Sequence, residues 1–140
     1  LPQAWEEIEN SGLKLDASLG FTTEIGFRNS YGLPFRPYNF LKQEAYNFVE
    51  VPLHIMDGVL WKTKGLNRQE MTKTMLDFID NNRENCVLSI LWHNTEFSEY
   101  KYKDCLAVYT DLLIYCKETN MTTTTPKEII EEYGVPNIKG

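Results

Sequence analysis

The chain has 140 residues, 42% of them apolar, with eight Tyr, seven Phe and three Trp, which is enough to build the core of one domain and excludes a disordered chain. A net charge of −6, with no cluster of Lys and Arg, excludes nucleic acid as the main partner, because phosphate binding needs a basic patch. No apolar run approaches the roughly 20 residues that cross a bilayer, so no membrane span is expected.

Residues 2–12, PQAWEEIENSG, predict a short amphipathic helix, with Ala4, Trp5 and Ile8 at helical spacing and Gly12 in the terminating place. The chain opens on Leu1 rather than Met, which leaves room for a leader or upstream segment. A brief strand, LKLD, follows. From Ala17 to Asn47 the periodicity is lost among Gly, Pro, Asn, Ser and aromatic residues. Loops of that length in compact domains are functional or poorly ordered, and the aromatic content here argues for order.

NFVEVPLHIMD, residues 47–57, predicts a strand in which Val49, Val51 and Leu53 alternate before Asp57 closes it. Asn67 then caps a helix with Glu70 three residues on and an apolar stripe of Met71, Met75, Phe78 and Ile79. CVLSILW, residues 86–92, is nearly continuous in apolar residues, as expected of a central parallel strand covered on both faces. A helix from about Lys103 to Glu118 is expected to bury Leu106, Tyr109, Leu112, Leu113 and Cys116. The β-branched run MTTT suits a last strand, and Thr125, Pro126 and Glu128 open a final helix that stops near Gly134.

Strands alternating with helices imply βα units and a mainly parallel sheet in a single domain spanning residues 1–140. About four strands are too few for a closed barrel, so the architecture reads as α/β and incomplete. Cys86, Cys105 and Cys116 form neither a disulfide framework nor a zinc pattern and read as small buried hydrophobes.

In parallel α/β folds the reactive groups gather at the carboxyl ends of strands, where Asp57 and His93 both sit. Side by side, the carboxylate would hold the imidazole in one tautomer, which is how a general acid is prepared. The plainer reading is a turn-capping aspartate and a histidine at the rim of the sheet. Arg28, in GFRNS, is either a fork of donors for a carboxylate or sugar oxygen or a tether for its own loop. Phe27, Trp61, Trp92 and Phe97 offer flat surfaces for sugar rings, or core. Asn94 follows His93 and joins the substrate-binding candidates. No dinucleotide fingerprint, P-loop, nucleophile elbow or paired-histidine metal motif is present, so no metal ligand is assigned to this chain.

The succession LKLDASLGF, GFRNS, PFRPYNF, VEVPLHIMDGVL, SILWHN and TPKEIIEEY resembles, in order and spacing, the C-terminal part of NodB-like polysaccharide deacetylases, in particular a bacterial branch associated with surface glycans. The resemblance implies a partial distorted (β/α) barrel of mainly parallel strands. It also implies a hydrolase that removes acetyl groups from a glycan with a divalent metal such as zinc. Leu91, Trp92 and His93 match the family's Leu-x-His motif. By that match His93 is the general acid and Leu91 lines the acetyl pocket. Asp57 is similar in position to the carboxylate that orients the histidine, and Arg28 to a recurring arginine of the branch. FRPY, residues 35–38, matches an Arg-x-Pro-Tyr motif only superficially, being on the wrong side of LDASLGF.

The family's aspartate pair and His-x-x-x-His segment, which supply the base and the metal ligands, do not occur here. Deacetylation needs a metal-activated water and a base before an acid can protonate the leaving group. The resemblance therefore implies a chain that is inactive alone, holds no metal alone, and pairs with a missing N-terminal half or with itself in a bacterial cytoplasm or cell envelope. Two alternatives stand beside it: a non-catalytic carbohydrate-binding or interaction domain, and an α/β domain of another class that uses Asp57 and His93 without metal.

Overall fold

The computed structural model describes residues 2–98 and 100–134. Within them lie the helices α1 (Pro2–Ser11), α2 (Arg68–Asn82), α3 (Cys105–Glu118) and α4 (Pro126–Tyr133). Six short strands accompany them: β1 (Leu15–Asp16), β2 (Tyr38–Asn39), β3 (Glu44–Ala45), β4 (Val49–Glu50), β5 (Ile55–Met56) and β6 (Ile90–Leu91). β1 pairs parallel with β4, β5 pairs parallel with β6, and β2 with β3 forms an antiparallel hairpin. The class is mixed helix and strand with small parallel sheets, and among the described residues the strands close no barrel.

The centre is the extended run from β4 to β5. On one side Val49, Val51 and Leu53 donate their backbone N–H groups to Lys14, Asp16 and Leu19. On the other, Glu50 donates to Phe35 and His54 to Ser89. Pro52 stands between those last two and has no N–H to give, so the ladder is broken where one neighbour hands over to the next. That break is why one run appears as two short strands. Gly20 lets the first neighbour lie close: a Cβ there would meet the Leu53 backbone oxygen at 2.9 Å.

α2 opens on a reciprocal Asn67–Glu70 capping box and buries Met71, Met75 and Ile79. These pack with Ile55, Leu60, Val108 and Leu112 in the main core, while α4 lays Ile129 on Val49 and Val51. α4 has the same kind of cap, from Thr125 and Glu128, with Pro126 at its start.

Three elements differ from the sequence expectation. α3 buries Cys105, Val108 and Leu112, leaving Leu106 and Leu113 exposed. The helix is apolar on more than one face, so its contact with α2 chose the stripe that periodicity alone left open. Residues 121–124 form no strand, since β propensity does not hold a segment that finds no neighbour to pair with. The 86–92 run contributes only Ile90 and Leu91 to a ladder, and Leu91 is partly exposed, so this strand is not covered on both faces. No helix among the described residues is long and apolar enough to cross a membrane.

Candidate functional site

β5 and β6 run parallel with Met56 opposite Leu91, so the residues that follow them leave the sheet at the same end. Asp57 comes after β5 and His93 shortly after β6. Asp57 is fully buried, and each of its oxygens is engaged. Oδ2 accepts the His93 backbone N–H at 2.5 Å, and Oδ1 accepts the Gly58 N–H at 2.6 Å. Oδ1 also lies 2.7 Å from His93 Nδ1. A carboxylate there can only accept, so the Nδ1–H donates and the proton-free or proton-donating nitrogen is Nε2.

The His93 side chain is 48% exposed, in contrast to its partner. A buried carboxylate holding a half-exposed imidazole in one tautomer is the geometry of a group that gives or takes a proton from something outside the protein. His93 also caps a short 3₁₀ turn, Asn94–Phe97. In that turn Glu96 is buried, although nothing in the sequence pattern marks it, because a single turn has too few residues to show a period. Burial, then the charge of Asp57, raises the Glu96 carboxyl above its ordinary range, while His93, Thr95 and Lys101 act the other way.

The remaining sequence candidates divide. Leu91 is partly exposed and Asn94 exposed, next to His93 in the chain. Trp92 turns inward: it packs against the main core with its ring 5.4 Å from Tyr109. Phe27 is likewise packed, 4.9 Å from the buried His54 ring and 5.5 Å from Phe78. Neither ring lies free as a platform for a sugar. Arg28 donates from its guanidinium to the Gly20 carbonyl at 3.0 Å, the tethering role for its own loop.

His54, the other histidine, is a core residue. Its Nδ1 accepts the Ser89 N–H at 3.2 Å, and burial pushes it down to about 4. Cys105, at the start of α3, is pushed up to about 11 by burial and then by Glu96, Asp57 and Asp104. It is a thiol at neutral pH and not a nucleophile.

The divalent metal implied by the family resemblance does not fit these residues. Among the described residues no three His, Cys, Asp or Glu side chains come together as ligands. Asp57 is already engaged by two backbone N–H groups and an imidazole. No protein-family model, no curated protein and no solved structure matches the chain.

Proposed function

We propose that this chain is the C-terminal portion of a NodB-like glycan deacetylase and that His93 is its general acid. The observation that carries the reading is the Asp57–His93 pair: a buried carboxylate and a half-exposed imidazole at the shared end of two adjacent parallel strands. Protonated His93 would give the Nε2 proton to the amine or alcohol leaving from an acetylated sugar, while Asp57 holds the ring and stabilises its charge. Leu91 and Asn94, exposed on either side of it in sequence, would meet the substrate.

The base that activates the water, and any metal, would come from a second body of residues that includes an aspartate pair and paired histidines. Leu113 and Ile114 of α3, both about half exposed, support a further layer packed over that helix.

The test joins the chain to an N-terminal segment carrying those motifs and measures acetate release from an N-acetylated or O-acetylated oligosaccharide. The expected result is metal-dependent release that His93→Ala lowers by about 10²- to 10⁴-fold. Equal release with and without His93 would reject the assignment.

A second reading, a non-catalytic glycan-binding or interaction domain, rests on the exposed residues around His93, where Leu91, Asn94 and Phe97 are open to solvent. It expects the isolated chain to bind glycan, measured by calorimetry. The inward packing of Trp92 and Phe27 leaves such binding to the exposed residues around His93.

A further inference from the structure

Exposed apolar side chains usually stand singly, but the β2–β3 hairpin carries two of them side by side at its tip. Phe40 is 85% exposed and Leu41 96%, and the half-exposed Tyr38 meets the Phe40 ring edge-on at 5.3 Å. The tip is held in place. Asn39 is buried beneath it: its Oδ1 accepts the Leu41 N–H at 3.0 Å and the Lys42 N–H at 3.1 Å, and its Nδ2 donates to the Tyr46 hydroxyl at 3.0 Å. Lys42 ties the turn to Glu6 of α1 at 2.8 Å, and Gln43 closes it at a φ of +56°. An apolar surface on a turn already ordered by its own chain is suited to contact, because little ordering remains to be done on binding.

The same chain carries a complementary cleft. Beside the β1–β4 pair and the end of α4, a cleft of about 440 Å³ is lined by Phe48, Val49 and Ile130 together with Lys14 and Arg36. A cavity of about 150 Å³ holds a benzene ring, so the Phe40 ring and Leu41 have room here together. The Arg36 guanidinium is fixed by the Tyr46 and Ala45 carbonyls at 3.0 and 3.2 Å. Neither Arg36 nor Lys14 enters an ion pair among the described residues.

The tip has the opposite sign. Glu6 and Glu9 gather on Lys42, and Glu44 is exposed across the hairpin from Asn39, so carboxylates outnumber the one ammonium around it. Such a collar disfavours an anionic lipid surface and favours a socket with a basic lining.

We infer that the Phe40–Leu41 tip docks in the Lys14–Arg36 cleft of a second copy of this chain. Size and charge match the tip to that cleft, and the exposure of the tip shows that it does not fill its own. A contact between two different patches closes into a twofold pair when each copy both gives and takes, and otherwise continues from copy to copy. Nothing in it depends on the chemistry of His93.

Sedimentation equilibrium of the 140-residue chain, from about 1 μM to about 1 mM, should show a mass that rises above the monomer's with concentration. Phe40→Ser with Leu41→Ser should weaken that association by at least about thirtyfold. Lys14→Glu, which reverses one charge of the cleft, should weaken it by about threefold to tenfold. All three side chains are exposed, so the core is untouched. Benzoylphenylalanine in place of Phe40, in a mixture of isotopically labelled and unlabelled chains, should cross-link on irradiation to Phe48, Val49 or Ile130 of the other copy.

A monomer at the highest concentration overturns the proposal, and so does association that survives the double tip substitution. Cross-links from tip to tip, or from the tip to another surface, overturn it as well. A monomer that binds phosphatidylserine vesicles only when Phe40 and Leu41 are present would give the tip to a bilayer instead. None of these outcomes moves the general-acid reading of His93, so the two ideas fail separately.

Discussion

Glu50 and Asp57 lie on the same extended run and both are fully buried, yet their surroundings are opposite in kind. Asp57 meets donors: two backbone N–H groups and an imidazole. Glu50 has the Trp5 indole N–H at 3.2 Å and the Leu19 N–H at 3.3 Å, but it also faces Asp16 across the β1–β4 pair. Burial first, and Asp16 second, push Glu50 up to about 8. Burial and the facing Asp16 both disfavour a charge on Glu50, so Glu50 is the carboxyl that keeps its proton. Depth of burial therefore does not decide what a carboxyl does; the number and sign of the groups around it do.

The sharpest way to break that comparison is to remove each acceptor in turn. Asp57→Ala strands two backbone N–H groups and the imidazole, and should cost about 3 kcal/mol of folding stability. Glu50→Gln, a neutral isostere of the protonated form, should cost less than about 1 kcal/mol at neutral pH. Urea midpoints of the two variants decide it, and equal losses would end the contrast.

The pH dependence of stability comes next in size. Glu50, raised from 4.5 to about 8, contributes stability that is complete below 4.5 and lost as pH rises through 8. His54, lowered from 6.5 to about 4, contributes stability that is complete above 6.5 and lost as pH falls through 4. Their slopes cancel between 4.5 and 6.5. Thermal melts should therefore show a plateau there and an alkaline fall of about 2 kcal/mol between 6.5 and 8, which Glu50→Gln removes. An alkaline fall that survives Glu50→Gln would place the proton elsewhere.

Smaller effects follow from exposure. His93→Ala should cost only about 1 kcal/mol in a denaturation curve, because the ring is half in solvent, although it should abolish the proposed acid function. A large loss would mean that the imidazole is a structural plug. Arg28→Ala should cost about 0.5 kcal/mol, the worth of one partly exposed tether to Gly20, and should leave glycan binding unchanged. Weaker binding with unaltered stability would return Arg28 to the site.

The site is half legible before folding. Asp57 and His93 can be found because each ends an apolar run, and strand ends in parallel folds converge. Glu96 cannot, because its burial depends on a single 3₁₀ turn that gives no periodic signal. Trp92 misleads for a related reason. It adjoins His93 in the chain, but neighbouring residues at a strand end point to opposite faces, and Trp92 takes the one that meets α3.

Local chemistry written in the sequence by itself determined the helix starts at Asn67 and Thr125, the stop at Gly12, and the positions of Asp57 and His93, since caps and strand ends need only a few adjacent residues. The tertiary structure alone decided which stripe of α3 is buried, that the run through Pro52 has two different neighbours, and that Asp57 meets His93 while Glu96 is buried in the turn that follows. Those outcomes depend on which distant surfaces meet, and contacts between residues far apart in the chain leave no trace in the spacing of either one.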